Sequence, residues 1–169
     1  MTIPFFISAI IGIVTFLFFL VLFAPITQAG DGKTFGGWKI PKHGKRFEHL
    51  FQEAEHYYDM PNNLLARIAQ QESNFDPDAV GLNGEQGMMQ INLRVHSSIS
   101  RKSARIPYEA IDFAAKYLAY LSVRTGSWRD AIAAYNWGIG NIRRKGFDAA
   151  PESTKRYVRE VMFDIGLED

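Results

Sequence analysis

The sequence contains no cysteine among its 169 residues, which excludes disulfide bonds and thiolate metal ligands. Its four histidines are scattered and form no HExxH-type pair, so we predict no metal site. The formal net charge is only +1, without the basic excess typical of nucleic-acid-binding proteins. Runs of alternating polar and apolar residues, which indicate strands, are also missing. A mainly α-helical domain that binds no nucleic acid is therefore expected.

A long uncharged hydrophobic run lies near the N-terminus, from Ile3 to Phe23. It has about the 20 residues that a helix needs to cross a bilayer. We predict a transmembrane anchor within residues 1–29 that contacts the membrane through residues 3–26. The alternative is a cleaved signal peptide, because residues 27–29 resemble a small-x-small cleavage site. The run is longer than a usual signal-peptide core, and no Lys or Arg precedes it, which favours the anchor.

Residues 30–46 are rich in glycine and basic side chains and show no hydrophobic periodicity. This composition predicts a flexible linker that holds the following domain within a few tens of ångströms of the membrane. Positive residues follow the hydrophobic run, whereas none precedes it. Taken alone, the positive-inside rule would place the following domain in the cytoplasm.

Apolar residues recur at helical spacing from residue 47 onward, which predicts one domain over residues 47–169. The first helix should end before Pro61, and Pro61 should open a second helix that runs to Glu72. A loop should follow, because three glycines punctuate the next stretch, and a short β-hairpin is possible within it. These glycines are Gly81, Gly84 and Gly87.

Three further helices are expected in the second half of the domain. Pro107 should precede a long amphipathic helix, and Ser127 should be the N-cap of the next one. Gly138 and Gly140 should end that helix. The last helix should carry Tyr157 on an apolar face.

Glu72 is the first candidate for a catalytic residue. In a helix it shares one face with Ala69, Ile68 and Leu65, which lie three, four and seven residues earlier. A carboxyl group on such a face loses solvent, which raises its pKa and favours the protonated acid near neutral pH. General-acid cleavage of a glycoside requires such a group. A solvated glutamate near a helix end is the alternative interpretation of this position.

Four motifs in order resemble the lytic transglycosylases of the soluble-transglycosylase (SLT) type, within the lysozyme-like superfamily. They are ESNF at residues 72–75, GEQGMMQ at 84–90, AAYNWGIG at 133–140, and Thr154 with Tyr157 and Val158. The resemblance extends from residue 47 onward and implies a lysozyme-like α-helical fold for the domain.

The resemblance also implies the site residues. Glu72 would be the sole catalytic acid and base. The expected substrate-binding residues are Ser73, Met88, Met89, Gln90, Tyr135, Asn136 and Tyr157. The alternatives are that Met89 only fills the core and that Tyr157 only packs.

The implied reaction cleaves the MurNAc-β-1,4-GlcNAc bond of peptidoglycan and forms 1,6-anhydro-MurNAc, without a cofactor. The chain's partners would then be peptidoglycan glycan strands and the membrane. Because murein lies outside the cytoplasm, the motifs outweigh the charge rule and place the domain on the periplasmic, cell-wall side. A phage particle, or a secretion or conjugation apparatus that opens the wall locally, would suit such an enzyme.

Glu85 departs from the family pattern, which commonly has a small residue there. If Glu85 faces the cleft, a lysozyme-like hydrolase using Glu72 and Glu85 becomes feasible. A solvated loop glutamate is the simpler expectation. Trp137 is a second departure, and its indole can stack on a sugar or only pack. A peptidoglycan-binding assembly protein without catalysis is the alternative from another functional class.

Overall fold

The structure, a computed structural model, describes residues 34–168. Over this range the chain is mainly helical, as the sequence predicted. The helices are α1 (Glu48–Tyr57), α2 (Leu64–Ser73), α3 (Pro107–Thr125), α4 (Trp128–Trp137), α5 (Ile139–Lys145) and α6 (Glu152–Ile165). Single turns of 3-10 helix occur at Lys45–Phe47, Ser103–Arg105 and Phe147–Ala149.

The core is built around α3, which contacts α1, α2, α4 and α5, while α6 packs against α2 and α4. Each helix contributes an apolar stripe at the expected spacing. The fully buried side chains at its centre include Phe51, Leu64, Leu65, Ile68, Ile111, Leu118, Leu121 and Ile132. This packing fixes the C-terminal end of α2, where Glu72 lies, against α6.

Most of the helix boundaries predicted in the second half of the chain agree with the structure. Pro107 is the first residue of α3, where its missing N–H has no cost. The Ser127 hydroxyl caps α4 by accepting from the backbone N–H of Asp130 at 3.1 Å. Gly138 ends α4 with a φ of 92°, but Gly140 lies inside α5 and ends nothing.

The predicted start of α2 at Pro61 was wrong, because the helix begins three residues later at Leu64. The connection first makes a turn in which Leu64 N–H donates to the Pro61 carbonyl at 3.2 Å. Asn63 then adopts a left-handed φ of 67°. The buried Glu55 carboxylate accepts from the backbone N–H groups of Asn63 and Leu65, at 2.9 and 2.8 Å. A side chain distant in sequence therefore caps this helix.

The glycine-rich loop between α2 and α3 contains two isolated antiparallel bridges, Val80 with Gln86 and Gln86 with Ile91. Residues 34–168 contain no extended strand, so the hairpin suggested by the sequence is reduced to these bridges. Gly87 permits the loop to fold tightly, since a Cβ there would collide with the Ala104 carbonyl.

The predicted flexible linker, residues 30–46, extends too far into the chain. Residues 34–40, here called the strap, pack against the helical domain. The backbone N–H groups of Gly36 and Trp38 donate to carbonyls near the end of α6, at 2.9 and 3.1 Å. Ile40 is buried in the core. The high content of glycine and basic residues suggested a solvated coil. The few apolar residues that attach the segment to the domain show no periodicity, so the sequence pattern did not predict this packing.

The predicted anchor at residues 3–26 lies outside the described residues. Among residues 34–168, no helix combines the length and hydrophobicity needed to span a bilayer.

Candidate active site

Glu72 lies in the last turn of α2, one residue before the helix ends at Ser73. Its neighbours on the same face, Leu65, Ile68 and Ala69, are completely buried, as the spacing predicted. Asn74 then takes a left-handed φ of 55° and ends the helix. The C-terminus of a helix carries a partial negative charge, which disfavours a carboxylate there. The last turn of α2 contains no basic residue that would offset this effect.

Burial raises the pKa of the Glu72 carboxyl group from 4.5 to about 7. A hydrogen bond from Tyr157 acts in the opposite direction and lowers this pKa, and the charge of Glu85 raises it further. Glu72 therefore exchanges its proton near neutral pH, which a single group that serves first as acid and then as base requires. The sequence-based expectation of a partly desolvated carboxyl group agrees with this environment.

Tyr157 lies on α6 and donates its hydroxyl proton to Glu72 Oε1 over 2.8 Å. Burial and the neighbouring charge of Glu72 raise the pKa of Tyr157 well above 10. The phenol is therefore a neutral donor that holds the carboxyl group in place. The sequence left open whether Tyr157 only packs, and the geometry brings it to the Glu72 carboxyl group.

A groove of about 530 Å³ opens beside Glu72. The residues that line it come from the end of α2, the glycine-rich loop, α3 and the end of α4. They are Glu72, Gly81, Leu82, Asn83, Glu85, Gln90, Asn92, Val95, His96, Tyr117, Ala134, Tyr135, Asn136, Trp137 and Gly138. Amides, hydroxyls and aromatic rings predominate, which suits a ligand that offers both hydroxyl groups and apolar ring faces.

Gln90, Tyr135 and Asn136 are the predicted binding residues that line this groove with Glu72. Gln90 adopts a positive φ of 46°, and its amide nitrogen donates to the Gly87 carbonyl at 2.9 Å. Asn136 Oδ1 accepts from the Thr154 hydroxyl at 2.8 Å, which fixes the orientation of the amide.

The other predicted binding residues support the groove from behind. Met88 and Met89 are fully buried and lie in the core, and neither lines the groove. Ser73 donates to the Met88 carbonyl at 2.8 Å, and Tyr135 donates to the Met89 carbonyl at 2.8 Å. These two bonds attach the glycine-rich loop to α2 and α4, which positions Gln90 at the groove wall.

Glu85 and Trp137 both line the groove. Glu85 is half-buried, and one carboxylate oxygen accepts from the backbone N–H of Asn83 at 3.1 Å. Glu85 therefore lies at the groove, as the alternative interpretation of this residue required. Trp137 is half-buried, with Lys145 Nζ 5.5 Å from its ring centroid, so the indole faces both the groove and a cation.

Sequence reasoning missed Tyr117 and His96. Their rings contact edge to face with centroids 4.5 Å apart, and both line the groove. Burial lowers the pKa of His96, so its imidazole is neutral near pH 7. The signal was present in α3, where Phe113, Tyr117 and Tyr120 form an aromatic stripe at helical spacing, separate from the aliphatic one. Within residues 34–168, no three His, Asp or Glu side chains are grouped so as to hold a metal ion.

The fold and the groove define a class of protein. The chain superposes on the X-ray structure of an inactive mutant of the lytic transglycosylase Slt from Pseudomonas aeruginosa with a TM-score of 0.59. The match covers 69% of this chain and 23% of that chain, at 22% sequence identity. At that identity the likeness establishes the fold, which is the helical fold of this lytic transglycosylase.

The family follows from the sequence match. The Transglycosylase SLT domain model matches residues 49–158, more than half of the chain, and the chain belongs to this family. This confirms the resemblance derived from the four motifs.

Curated proteins named as lytic murein transglycosylases are similar to part of this chain. Membrane-bound lytic murein transglycosylase F 1 from Alkalilimnicola ehrlichii is 33% identical over 118 residues, which cover 61% of this chain and 24% of that protein. Membrane-bound lytic murein transglycosylase F from Maricaulis maris is 36% identical over 104 residues, covering 57% of this chain and 23% of that protein. The matched part of the chain thus spans about a quarter of the length of these relatives.

Proposed function

We propose that this protein is a peptidoglycan lytic transglycosylase that cleaves the MurNAc-β-1,4-GlcNAc bond and leaves 1,6-anhydro-MurNAc. The observation that carries the proposal is Glu72, a carboxyl group with a pKa of about 7 in a polar, aromatic groove. Membership of the SLT family and the names of the relatives support the same reaction.

In the first step, protonated Glu72 donates its proton to the glycosidic oxygen. The bond between MurNAc C1 and that oxygen breaks, and GlcNAc leaves with a free 4-hydroxyl group. The carbonyl oxygen of the MurNAc N-acetyl group stabilises the positive charge at C1. Tyr157, bonded to Glu72 Oε1, orients the carboxyl group and stabilises the carboxylate that forms.

In the second step, the Glu72 carboxylate removes the proton from the C6 hydroxyl group of the same MurNAc. O6 then bonds to C1 and closes the 1,6-anhydro ring. Glu72 is protonated again, so the cycle consumes no water and needs no second carboxylate and no cofactor. A pKa near 7 lets the two proton transfers proceed through one group at similar cost.

A lysozyme-like hydrolase is the second candidate, and the position of Glu85 favours it. Glu85 lines the same groove, and its charge acts on Glu72. A second carboxylate in the groove is the group that two-carboxylate glycosidases use to activate water or attack the sugar. The product then gains one water.

We further propose that residues 3–26 anchor the protein and that the domain acts on the periplasmic side, where its substrate lies. The relatives are named as membrane-bound murein transglycosylases, which fits this location. An anchored enzyme cuts only nearby glycan strands. This suits local opening of the wall, in phage entry or lysis or in a secretion or conjugation apparatus.

The test is mass spectrometry of the muropeptides that the full-length protein in detergent releases from purified sacculi. Glu72→Gln is the variant, and Glu109→Gln, at an exposed position on α3, is the matched control. Products one water lighter than reducing-end sugars, lost only in Glu72→Gln, would support the transglycosylase. Reducing-end products would assign the hydrolase instead. Binding to sacculi without release by the folded parent protein would leave a peptidoglycan-binding assembly role.

A further inference from the structure

The interface between α2 and α6 contains a row of polar contacts, of which the Tyr157–Glu72 bond is one end. Next in the row, Gln71 Nε2 donates to Glu160 Oε2 at 2.8 Å. The far end is Arg67, whose Nε donates to Asp164 Oδ2 at 2.7 Å. From one contact to the next, the residue number decreases on α2 and increases on α6, so the two helices run antiparallel. These contacts fix the register of one helix against the other.

The far end of the row is a buried ion pair. The side chains of Arg67 and Asp164 are 7% and 8% exposed, and Glu160 lies 3.8 Å from a second guanidinium nitrogen of Arg67. Buried charges of this kind require each other, because either one alone would be left desolvated without a partner. The pair therefore holds the two helices at one relative position.

The strap completes this end of the interface. The Trp38 indole N–H donates to Gln70 Oε1 on α2 at 2.9 Å, and the Trp38 backbone N–H donates to the Asp164 carbonyl on α6 at 3.1 Å. The guanidinium carbon of Arg67 lies 6.0 Å from the centre of the Trp38 ring. Trp38 thus bonds to both helices beside the ion pair.

Trp38 and Asp164 both lie outside residues 49–158, the part of the chain that the family model matches. The strap therefore lies outside the matched range, and Trp38 attaches it to α2, the helix that carries the candidate acid.

We propose that Trp38, Arg67 and Asp164 are positioning residues, which set the register of α6 on α2 and so hold the Tyr157 hydroxyl on Glu72. The inference rests on the proposed function of Glu72. None of the three touches the groove, whose lining excludes them. They act through the helices, because a helix moves as a unit and a shift of about 1 Å at the reacting group can cost about 100-fold in rate.

A change in the register of α6 on α2 should alter the pKa of Glu72. The bond from Tyr157 lowers the pKa of Glu72, so a looser α6 should raise that pKa. The other titratable groups that line the groove with Glu72 belong to elements other than α6. They are Glu85 and His96 from the loop, Tyr117 from α3 and Tyr135 from α4.

The test compares full-length Trp38→Ala and Asp164→Asn with the parent protein in detergent. Glu152→Gln is the matched control, because it breaks the exposed Glu152–Arg159 ion pair on α6 without touching α2. The first measurement is the titration of the Glu72 carboxyl carbon by NMR, assigned with Glu72→Gln. We expect the midpoint of the Glu72 titration to rise in Trp38→Ala and in Asp164→Asn and to stay unchanged in the control.

The second measurement is the pH dependence of muropeptide release. We expect kcat to fall about 10- to 100-fold in Asp164→Asn with KM unchanged, and the basic limb of the profile to move to higher pH. The NMR titration needs no turnover, so it tests the positioning role even if the proposed reaction is wrong. An unchanged titration midpoint of Glu72 in folded Trp38→Ala overturns the inference. If Asp164→Asn does not fold, the result for Trp38→Ala is sufficient for this test.

Discussion

The Tyr157 hydroxyl donates to Glu72 Oε1 over 2.8 Å and joins residues that are 85 positions apart in the chain. The bond stabilises the ionised carboxylate, whereas burial stabilises the protonated acid. The charge of Glu85 adds to the effect of burial, and the pKa of about 7 is the balance of these three effects. This balance can be altered from either side, which leads to the first two predictions.

Tyr157→Phe removes the donor and keeps the ring. We expect the pKa of Glu72 to rise above about 7, because the group that lowers it is lost. A general acid must be protonated, so the basic limb of the pH–rate profile should move to higher pH while the rate falls. The profile of muropeptide release measures this. Tyr120→Phe, half exposed on α3, is the control, and an unmoved basic limb in Tyr157→Phe would contradict the assigned role.

Glu85→Gln removes a negative charge that raises the pKa of Glu72. The pKa should fall, and the basic limb should move to lower pH, opposite to the Tyr157→Phe result. If Glu72 is the sole acid and base, the products remain 1,6-anhydro sugars and kcat changes by less than about tenfold. Mass spectrometry and the pH profile check both points. Loss of activity, together with reducing-end products from the parent protein, would transfer the assignment to a two-carboxylate hydrolase.

Glu72→Gln should stabilise the protein at high pH. A carboxyl group whose pKa is raised on folding contributes stability that is complete below pH 4.5 and is lost as pH rises through about 7. The shift corresponds to about 3 kcal/mol, since one pKa unit is about 1.4 kcal/mol. Denaturant unfolding well below pH 4.5 and well above pH 7 measures the difference. Glu55 titrates in the same window, so only the difference between variant and parent reports on Glu72.

Equal stability changes in Glu72→Gln at both pH values would show that the pKa of Glu72 is not raised. The expected pattern is a variant that is more stable than the parent only at the higher pH. The amide can still accept the Tyr157 hydrogen bond, so the contact between α2 and α6 is kept.

Ser73→Ala should loosen the glycine-rich loop. The Ser73 hydroxyl donates to the Met88 carbonyl at 2.8 Å and accepts from the Asp76 N–H at 3.0 Å. Losing both bonds should cost about 1–2 kcal/mol of unfolding free energy. Because Gln90 belongs to this loop and lines the groove, kcat/KM should also fall. Thermal unfolding measures the first effect, and Ser122→Ala, whose hydroxyl bonds only to its own helix at Ala119, is the control.

Deletion of residues 1–29 should release the protein from membranes and leave turnover on purified sacculi unchanged. The strap, residues 34–40, remains in such a variant, so its contacts with α2 and α6 are kept. Membrane fractionation and muropeptide release check the two parts. An inactive truncated protein would show that the N-terminal segment does more than anchor.

The sequence predicted the features that local chemistry determines. The Ser127 cap, the start of α3 at Pro107 and the apolar face beneath Glu72 depend on residues within one or two turns of each other. The start of α2 was placed at Pro61 because its cap, Glu55, lies in the preceding helix. No nearby pattern marks such a contact.

The same limit applies to the candidate site. The family resemblance implied Glu72, Gln90, Tyr135 and Asn136 as site residues, and the fold brings them to one groove. The resemblance did not separate the residues that line the groove from those behind it, such as Met89, whose side chain is buried while its carbonyl binds Tyr135. The strap was missed because Trp38 acts through contacts with residues 32 and 126 positions away.

The attachment of the strap also limits how far the groove can lie from a membrane, provided that residues 3–26 anchor the protein as proposed. The first described backbone hydrogen bond to α6 is that of Gly36 to the Phe163 carbonyl, and nine residues, 27–35, separate Gly36 from residue 26. Even when fully extended, nine residues reach only about 30 Å. Each residue inserted between positions 26 and 36 should therefore extend the zone of murein that one molecule can cut.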